Sequence, residues 1–113
     1  MILNHLALTV SDRTRSAAFY GEHFGMTERM HEDDHMLVLR AHGCLLTLSE
    51  GVVPRELPRT NHFGFQAPNR DAVHQAREQF RLAGVTETEW QDDGMVRVQV
   101  LDPDGYRVEL FGY

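Results

Sequence analysis

The spacing of apolar residues changes early in the chain, from every second position to helical spacing. Residues 3–10 alternate, which predicts a strand with one buried face. Its apolar face carries Leu6, Leu8 and Val10. Its other face carries His5, Ala7 and Thr9. A helix follows, which Asp12 or Ser11 can cap and which Gly25 ends in the manner of a C-terminal glycine.

Three short apolar stretches follow the helix. They predict strands at about 26–30, 36–41 and 44–49, separated by the charged loop HEDDH and the turn AHG. The predicted order of elements in the first half of the chain is therefore one strand, one helix and three strands. His31 and His35 of the HEDDH loop are interpreted as a solvated hairpin tip rather than a metal cluster.

The second half of the chain repeats the first. NHLALTVSDR at 4–13 aligns with NHFGFQAPNR at 61–70, and FGMTE at 24–28 resembles AGVTE at 83–87. The repeat predicts two tandem βαβββ modules, about 1–51 and 60–113, within a single α+β domain that spans 1–113. The segment GVVPRELPRT carries two prolines and is interpreted as the linker.

The elements of the second half follow the same order. We predict a strand at 61–66, a helix at about 70–83 and strands near 85–90, 95–101 and 106–111. Asp71 or Asn69 would cap the helix and Gly84 would end it. Its core face is predicted to carry Val73, Ala76, Phe80 and Ala83.

One helix can cover only one face of each sheet, so the other face must be covered by something else or line a cavity. Phe63 and Phe65 belong beneath the second helix, so His62 points away from it, as His5 does in the first half. In the last strand Val108 and Leu110 belong on the helix side. Three residues able to bind a metal therefore point to uncovered faces: His5, His62 and Glu109.

Two imidazoles and one carboxylate form a ligand set suited to Zn, Fe, Mn, Co or Ni. Three protein ligands leave positions open for water or substrate, which is typical of a catalytic site rather than of a structural one. The sequence thus predicts a divalent-metal site. Such a metal would act as a Lewis acid on a small oxygen-rich molecule.

The amino-acid composition limits the kinds of partner and the cellular location that we expect for this protein. The net charge is −6 and the 11 basic residues are scattered arginines, which argues against nucleic acid as a partner. No apolar run is long enough for a membrane span and no signal peptide is recognisable, so we expect a cytoplasmic protein. Cys44 is the only cysteine and is interpreted as a reduced core thiol, which excludes a disulfide framework.

Four stretches carry a resemblance to a known family. NHLALTVSD, FYGEHFGM, NHFGFQ and LDPDGYRVELFG resemble the vicinal oxygen chelate superfamily, which includes glyoxalase I, extradiol dioxygenases, methylmalonyl-CoA epimerase, fosfomycin-resistance enzymes and bleomycin-binding proteins. The resemblance covers essentially the whole chain. It implies paired modules whose curved sheets line a metal-binding pocket, and a homodimer in which a site is often built from two chains.

The resemblance also implies which positions hold the metal. They match His5, Thr47, His62 and Glu109 here. Thr47 departs from the glutamate of glyoxalase I and the amide of the epimerase, and a threonine cannot act as a general base. The glyoxalase I and epimerase reactions therefore do not suit this chain. The predicted chemistry is lyase, dioxygenase or fosfomycin-resistance-type transferase chemistry on a small oxygen-chelating substrate. A metal-free drug-binding or metabolite-binding resistance protein of the same fold is the alternative.

Strand parity also places further residues toward the predicted pocket. The candidate catalytic residues are Glu109, Thr47 and Arg97. The candidate substrate-binding residues are Ala7, Thr9, Leu37, Leu45, Gln66, Gln99, Arg107 and Phe111, with Leu39 as a further apolar wall residue. Arginines beside a cation that carries only one carboxylate favour an anionic or chelating small-molecule substrate.

Overall fold

The computed structural model describes all residues, 1–113, and the chain divides into two units, Met1–Arg55 and Glu56–Tyr113. Each unit contains one helix and one four-stranded sheet, so the predicted pair of βαβββ modules in an α+β fold is confirmed. Neither α-helix, of 12 and 13 residues, reaches the length and hydropathy that a bilayer-spanning helix requires.

The first unit has its elements in the predicted order. They are β1 (His5–Val10), α1 (Arg13–Phe24), β2 (Glu28–Glu32), β3 (Met36–Ala41) and β4 (Cys44–Glu50). The sheet order is β1-β4-β3-β2, and β1 pairs with β4 in parallel. The parallel pair needs a long crossover, and α1 lies within that crossover.

The second unit repeats this topology. Its elements are β5 (His62–Gln66), α2 (Arg70–Leu82), β6 (Glu87–Asp93), β7 (Met95–Leu101) and β8 (Arg107–Gly112). The sheet order is β5-β8-β7-β6, with β5 and β8 parallel. The first and last strands of each unit are therefore neighbours, which brings the two ends of each repeat together.

Both helices begin at a capping side chain. Asp12 accepts a hydrogen bond from the backbone N–H of Arg15, and Asn69 accepts one from that of Ala72. Each of these bonds satisfies a donor that the first turn of a helix leaves unpaired. Gly25 ends α1 in the left-handed conformation, with φ of 70°.

Each sheet buries one face beneath its helix. In the second unit Val96, Val98, Val100 and Val108 are fully buried, as their alternation predicts. In the first unit the fully or nearly fully buried strand residues are Val10, Leu37, Leu39, Leu46 and Leu48. Cys44 lies at the start of β4, half-buried and free, rather than in the core.

Leu37 and Leu39 were expected to line the pocket, and this expectation is wrong. β3 pairs Leu37 with Leu48 and Leu39 with Leu46, so both leucines share the helix-side face and are 1% and 2% exposed. The parity of β3 is fixed by the tight turn that pairs Ala41 with Cys44. Because successive side chains of a strand point to opposite faces, leucines on the face opposite to that of His5 lie in the core.

Three smaller expectations also need correction. β2 begins at Glu28 and includes His31, so the charged loop is shorter than predicted. β6 extends to Asp93, three residues beyond the predicted end, because it pairs with β7 across a turn at Gly94. Ala83 is exposed at the end of α2 and does not join its core face.

Candidate metal centre

The open face of the second sheet collects the polar residues of four strands. The parallel register pairs Gly64 with Glu109 and His62 with Arg107, so His62 and Glu109 point to the same face. The antiparallel register of β7 with β8 pairs Gln99 with Glu109 and adds Gln99 and Arg97 to that face.

His62 and Glu109 lie close together on this face. His62 Nε2 is 3.7 Å from Glu109 Oε2. Two donors that share one cation at about 2.1 Å can be at most about 4.2 Å apart, so this separation fits one bound metal ion. The Glu109 side chain is 11% exposed and that of His62 is 43% exposed, so the pair lies at the edge between interior and solvent.

The ring of His62 is oriented by the loop that precedes β5. His62 Nδ1 lies 3.0 Å from the carbonyl oxygen of Thr60. A carbonyl only accepts hydrogen bonds, so Nδ1 carries the proton and the lone pair of a neutral imidazole is on Nε2. A ring N–H donated to a backbone carbonyl is the usual outer support of a metal-binding histidine.

Arg97 adds a positive charge next to the pair. One Arg97 terminal nitrogen lies 3.0 Å from Glu109 Oε2 and 2.8 Å from Glu89 Oε2, and Arg97 Nε donates to Gln91 at 3.0 Å. The hydrogen bond from Arg97 lowers the pKa of Glu89. Hydrogen bonding to Glu89, followed by the charge of Glu109, raises the pKa of Arg97 against the opposing effect of its burial. Arg97 thus stays charged.

These residues surround an open cavity of about 400 Å³ in the second unit. Its lining residues are Arg59, Thr60, His62, Glu89, Met95, Arg97, Gln99 and Glu109. Gln99 is only 2% exposed, and its side-chain oxygen accepts a hydrogen bond of 2.9 Å from the hydroxyl of Thr88. Polar groups that converge on a cavity are the usual sign of a small-molecule site.

Part of the expected substrate set lies outside that cavity. Gln66, Arg107 and Phe111 share the face of His62 and Glu109 but do not line the cavity. The sequence did not single out Glu89, Gln91 and Thr88. The alternation within ETEWQDD predicts that Glu89 and Gln91 share one face of a strand. It does not say which face of the sheet that is, because this depends on the pairing of β6 with β7 across Gly94, which places Glu89 opposite Gln99.

The remaining expected site residues belong to the first unit. The parallel register pairs His5 with Leu45 and Ala7 with Thr47, and it pairs Thr9 with Ser49. These side chains share the face that α1 does not cover, while Leu46 and Leu48 point into the core. His5 Nδ1 lies 3.2 Å from Asn4 Oδ1.

The chain contains no group of three or more His, Cys, Asp or Glu side chains that could hold a metal ion. Three metal-binding side chains were expected to lie together, and the structure brings two of them together, His62 and Glu109. Their chemistry, one neutral imidazole nitrogen and one carboxylate oxygen, suits a first-row divalent metal.

Comparison with known proteins agrees with this architecture. Residues 2–110 match the Glyoxalase family, described as the Glyoxalase/Bleomycin resistance protein/Dioxygenase superfamily. No curated protein sequence matches the chain significantly.

Several solved structures share the fold. The fosfomycin resistance protein FosX from Listeria monocytogenes superimposes with a TM-score of 0.87 at 21% identity, covering 100% of this chain and 93% of FosX. Lactoylglutathione lyase from Agrobacterium tumefaciens gives 0.79 at 21% identity, with 98% and 92% covered. A possible glyoxalase from Bacillus cereus gives 0.81 at 26% identity, with 97% of each chain covered. A variant of the Listeria protein was crystallised with Mn(II) and 1S,2S-dihydroxypropylphosphonic acid.

Proposed function

Because this chain belongs to the Glyoxalase/Bleomycin resistance protein/Dioxygenase superfamily, we propose that it is a divalent-metal-dependent enzyme acting on a small oxygen-chelating substrate. His62 and Glu109 are two of the metal ligands in this proposal. The observation that carries the proposal is the pair of donor atoms, His62 Nε2 and Glu109 Oε2, which face each other 3.7 Å apart on an open sheet face.

The bound metal would supply Lewis-acid stabilisation of negative charge on substrate oxygens. The chain's own residues do the rest. Thr60 keeps the proton of His62 on Nδ1 through its carbonyl oxygen, so that Nε2 is free to bind. The positive charges of Arg59 and Arg97 balance the negative charges of Glu89 and Glu109 around the cavity, so a bound divalent cation would leave the site net positive, which favours an anionic substrate.

Thr47 limits the type of chemistry. A hydroxyl cannot serve as a general base near neutral pH, so a reaction that needs a carboxylate base at Thr47 does not suit this chain. The candidates are dioxygenase and fosfomycin-resistance-type transferase reactions, together with lyase reactions that use no carboxylate base at this position. We also propose that the protein acts in the cytoplasm as a homodimer.

Metal binding is the first test. Wild-type protein stripped with EDTA should bind about one Mn(II) per chain, measured by electron paramagnetic resonance of free Mn(II). H62A should lose this binding. The control is H74A, because His74 is equally exposed in the same unit and pairs with Asp92 instead. Wild-type protein that binds no divalent metal, or H62A that binds it normally, would contradict the proposal.

Activity is the second test. The metal-loaded protein should turn over at least one member of a panel that contains methylglyoxal with glutathione, catechols and fosfomycin with thiols. The same variants should show whether turnover follows the metal. Turnover that is equal in H62A and wild type would show that the metal site is not the reacting centre.

A second candidate is a metal-free protein that binds a drug or metabolite in the same cavity. The observation that favours it is Arg97, which already supplies a positive partner to Glu109 at 3.0 Å. Tight ligand binding by EDTA-treated protein, with no effect of added Mn(II) or Zn(II), would select this function over the enzyme.

A further inference from the structure

Arg97 is shared between two carboxylates that have different surroundings. The same terminal nitrogen contacts Glu109 Oε2 at 3.0 Å and Glu89 Oε2 at 2.8 Å. Glu109 is nearly buried, with 11% of its side chain exposed, whereas 31% of the Glu89 side chain is exposed. A guanidinium held in this way can lose one carboxylate and still keep the other.

The contact with Glu109 uses the oxygen that faces His62. Glu109 Oε2 is the atom 3.7 Å from His62 Nε2 and also the atom that accepts from Arg97. A cation bound between the histidine and the glutamate therefore meets a positive charge already hydrogen-bonded to its carboxylate ligand. Like charges at such a distance repel strongly in a partly buried site.

We propose that Arg97 is a displaceable counter-ion of Glu109, and that Glu89 and Gln91 hold Arg97 when a divalent cation takes its place. The inference rests on the proposed metal site. It makes Glu89 a positioning residue, which acts on metal affinity through Arg97 and does not touch the metal.

The register of β6 with β7 places two hydrogen-bond acceptors where they can hold the guanidinium of Arg97 after it leaves Glu109. Gln91 lies directly opposite Arg97, and its side-chain oxygen accepts from Arg97 Nε at 3.0 Å. Glu89 lies opposite the neighbouring Gln99, on the same face. Both acceptors belong to β6, so Arg97 can move away from β8 without leaving a charged group unpaired.

The other polar group on β7 does not take this role. The side-chain oxygen of Gln99 is engaged by the hydroxyl of Thr88 at 2.9 Å. Competition for Arg97 is therefore between Glu109 on one side and the pair Glu89 and Gln91 on the other. The balance between these two sides sets how easily a metal reaches Glu109.

The experiment is a double-mutant cycle on Mn(II) affinity with R97M, E89Q and the double variant. R97M should tighten Mn(II) binding about tenfold, because the competing cation is gone. E89Q should weaken it about fivefold, because Arg97 then depends more on Glu109. In the double variant the effect of E89Q should vanish, since Glu89 acts only through Arg97.

Two matched variants separate this mechanism from general electrostatics. Arg59 lines the same cavity and acts on Glu89 only through space, with no ion pair to Glu109, so R59M should change the affinity much less than R97M does. Asp93 lies on β6 two positions beyond Gln91 and does not pair with Arg97, so D93N is the control for E89Q. R59M and D93N effects as large as those of R97M and E89Q would overturn the proposal.

Further outcomes are also decisive. If Arg97 orients Glu109 as a fixed support, R97M weakens Mn(II) binding, and the proposal is wrong. An E89Q effect that persists in the R97M background also refutes it. If R97M does not fold, E89Q against D93N still decides the question. Absence of Mn(II) binding in the wild type and every variant contradicts the proposed function itself, and the inference with it. Normal wild-type binding without the predicted pattern contradicts the inference alone.

Displacement can also be observed directly in the wild-type protein. The Nε–H resonance of Arg97, assigned with R97M, should shift when Zn(II) is added to the EDTA-treated protein. The Nε–H should remain protected from exchange because Gln91 still accepts its hydrogen bond. A resonance that Zn(II) leaves unchanged, in protein that binds Zn(II), would show that Arg97 does not move.

Discussion

Gly64 lies directly beside Glu109, so closely that a methyl group on Gly64 would come within 3.1 Å of the Glu109 carbonyl oxygen and 3.3 Å of its Cβ. Both atoms belong to the neighbouring strand, whose position is fixed by the parallel ladder between β5 and β8. Because Gly64 has no side chain, Glu109 can lie this close to it. Glycine weakens most strands, so its presence here points to this close approach.

Alanine at Gly64 should therefore disturb Glu109. We expect G64A to destabilise the protein by about 1 kcal/mol and to weaken metal binding, because the Glu109 carboxylate is pushed out of its position. Urea unfolding and Mn(II) titration measure the two effects. The control is G21A, because a methyl group on Gly21 in α1 meets no atom closer than 3.6 Å. G21A should stabilise the protein by about 0.5–1 kcal/mol. Equal effects of the two variants would refute this explanation.

Gly112 at the end of β8 should tolerate a side chain even less. A methyl group there would lie 2.6 Å from the carbonyl oxygen of Asn69, the residue that caps α2. Neither backbone segment can move without breaking the cap or the ladder. We expect G112A to lose about 3 kcal/mol of unfolding free energy, measured in urea. A loss no greater than that of G64A would contradict the reading that the end of β8 and the start of α2 are in contact.

Glu109 is expected to matter for the metal more than for the fold. In E109Q the shape of the side chain is kept and Arg97 retains Glu89, so the unfolding free energy in EDTA should change by less than about 1 kcal/mol. Mn(II) affinity should fall about a hundredfold, because a neutral amide replaces the only carboxylate ligand. E78Q, at an exposed position in α2 that pairs with Arg81, should change neither quantity. Full metal affinity in E109Q would remove Glu109 from the site.

Asp33 should make stability depend on pH in the acid range. His31 lowers the pKa of Asp33, and the backbone N–H groups of His35 and Met36 lower it further. Folded Asp33 therefore binds its proton less readily than unfolded Asp33. Its contribution is present above the ordinary pKa of 3.8 and is lost as the pH falls toward the lower folded value.

The D33A variant tests this pH dependence. It should be less stable than wild type at pH 6, and the difference should shrink as the solution is acidified below about pH 4. Urea unfolding at a series of pH values measures it. D34A is the control, since the neighbouring carboxylate has the same charge and no comparable hydrogen bonds. A difference between D33A and wild type that stays constant with pH would contradict the role of the Asp33 carboxylate.

The elements of the fold could be predicted from the sequence because they depend on local chemistry. The alternation of residues 3–10 and the repeat of NHLALTV as NHFGFQA predicted the strands and their order. For each helix the sequence offered two candidate capping residues, and Asp12 and Asn69 are the ones that cap α1 and α2. The shared face of His62 and Glu109 also followed from alternation within two strands, and the parallel register confirms it.

The sequence alone could not decide what depends on pairing between strands. Leu37 and Leu39 were assigned to the wrong face because alternation gives two faces but does not say which one meets a helix. Glu89 and Gln91 were missed because only the register across Gly94 brings them to Arg97. The sequence therefore determined the identity and order of the elements, which arise from contacts between near neighbours. Tertiary structure decided which polar groups compete for one guanidinium, since that depends on distances between residues far apart in the chain.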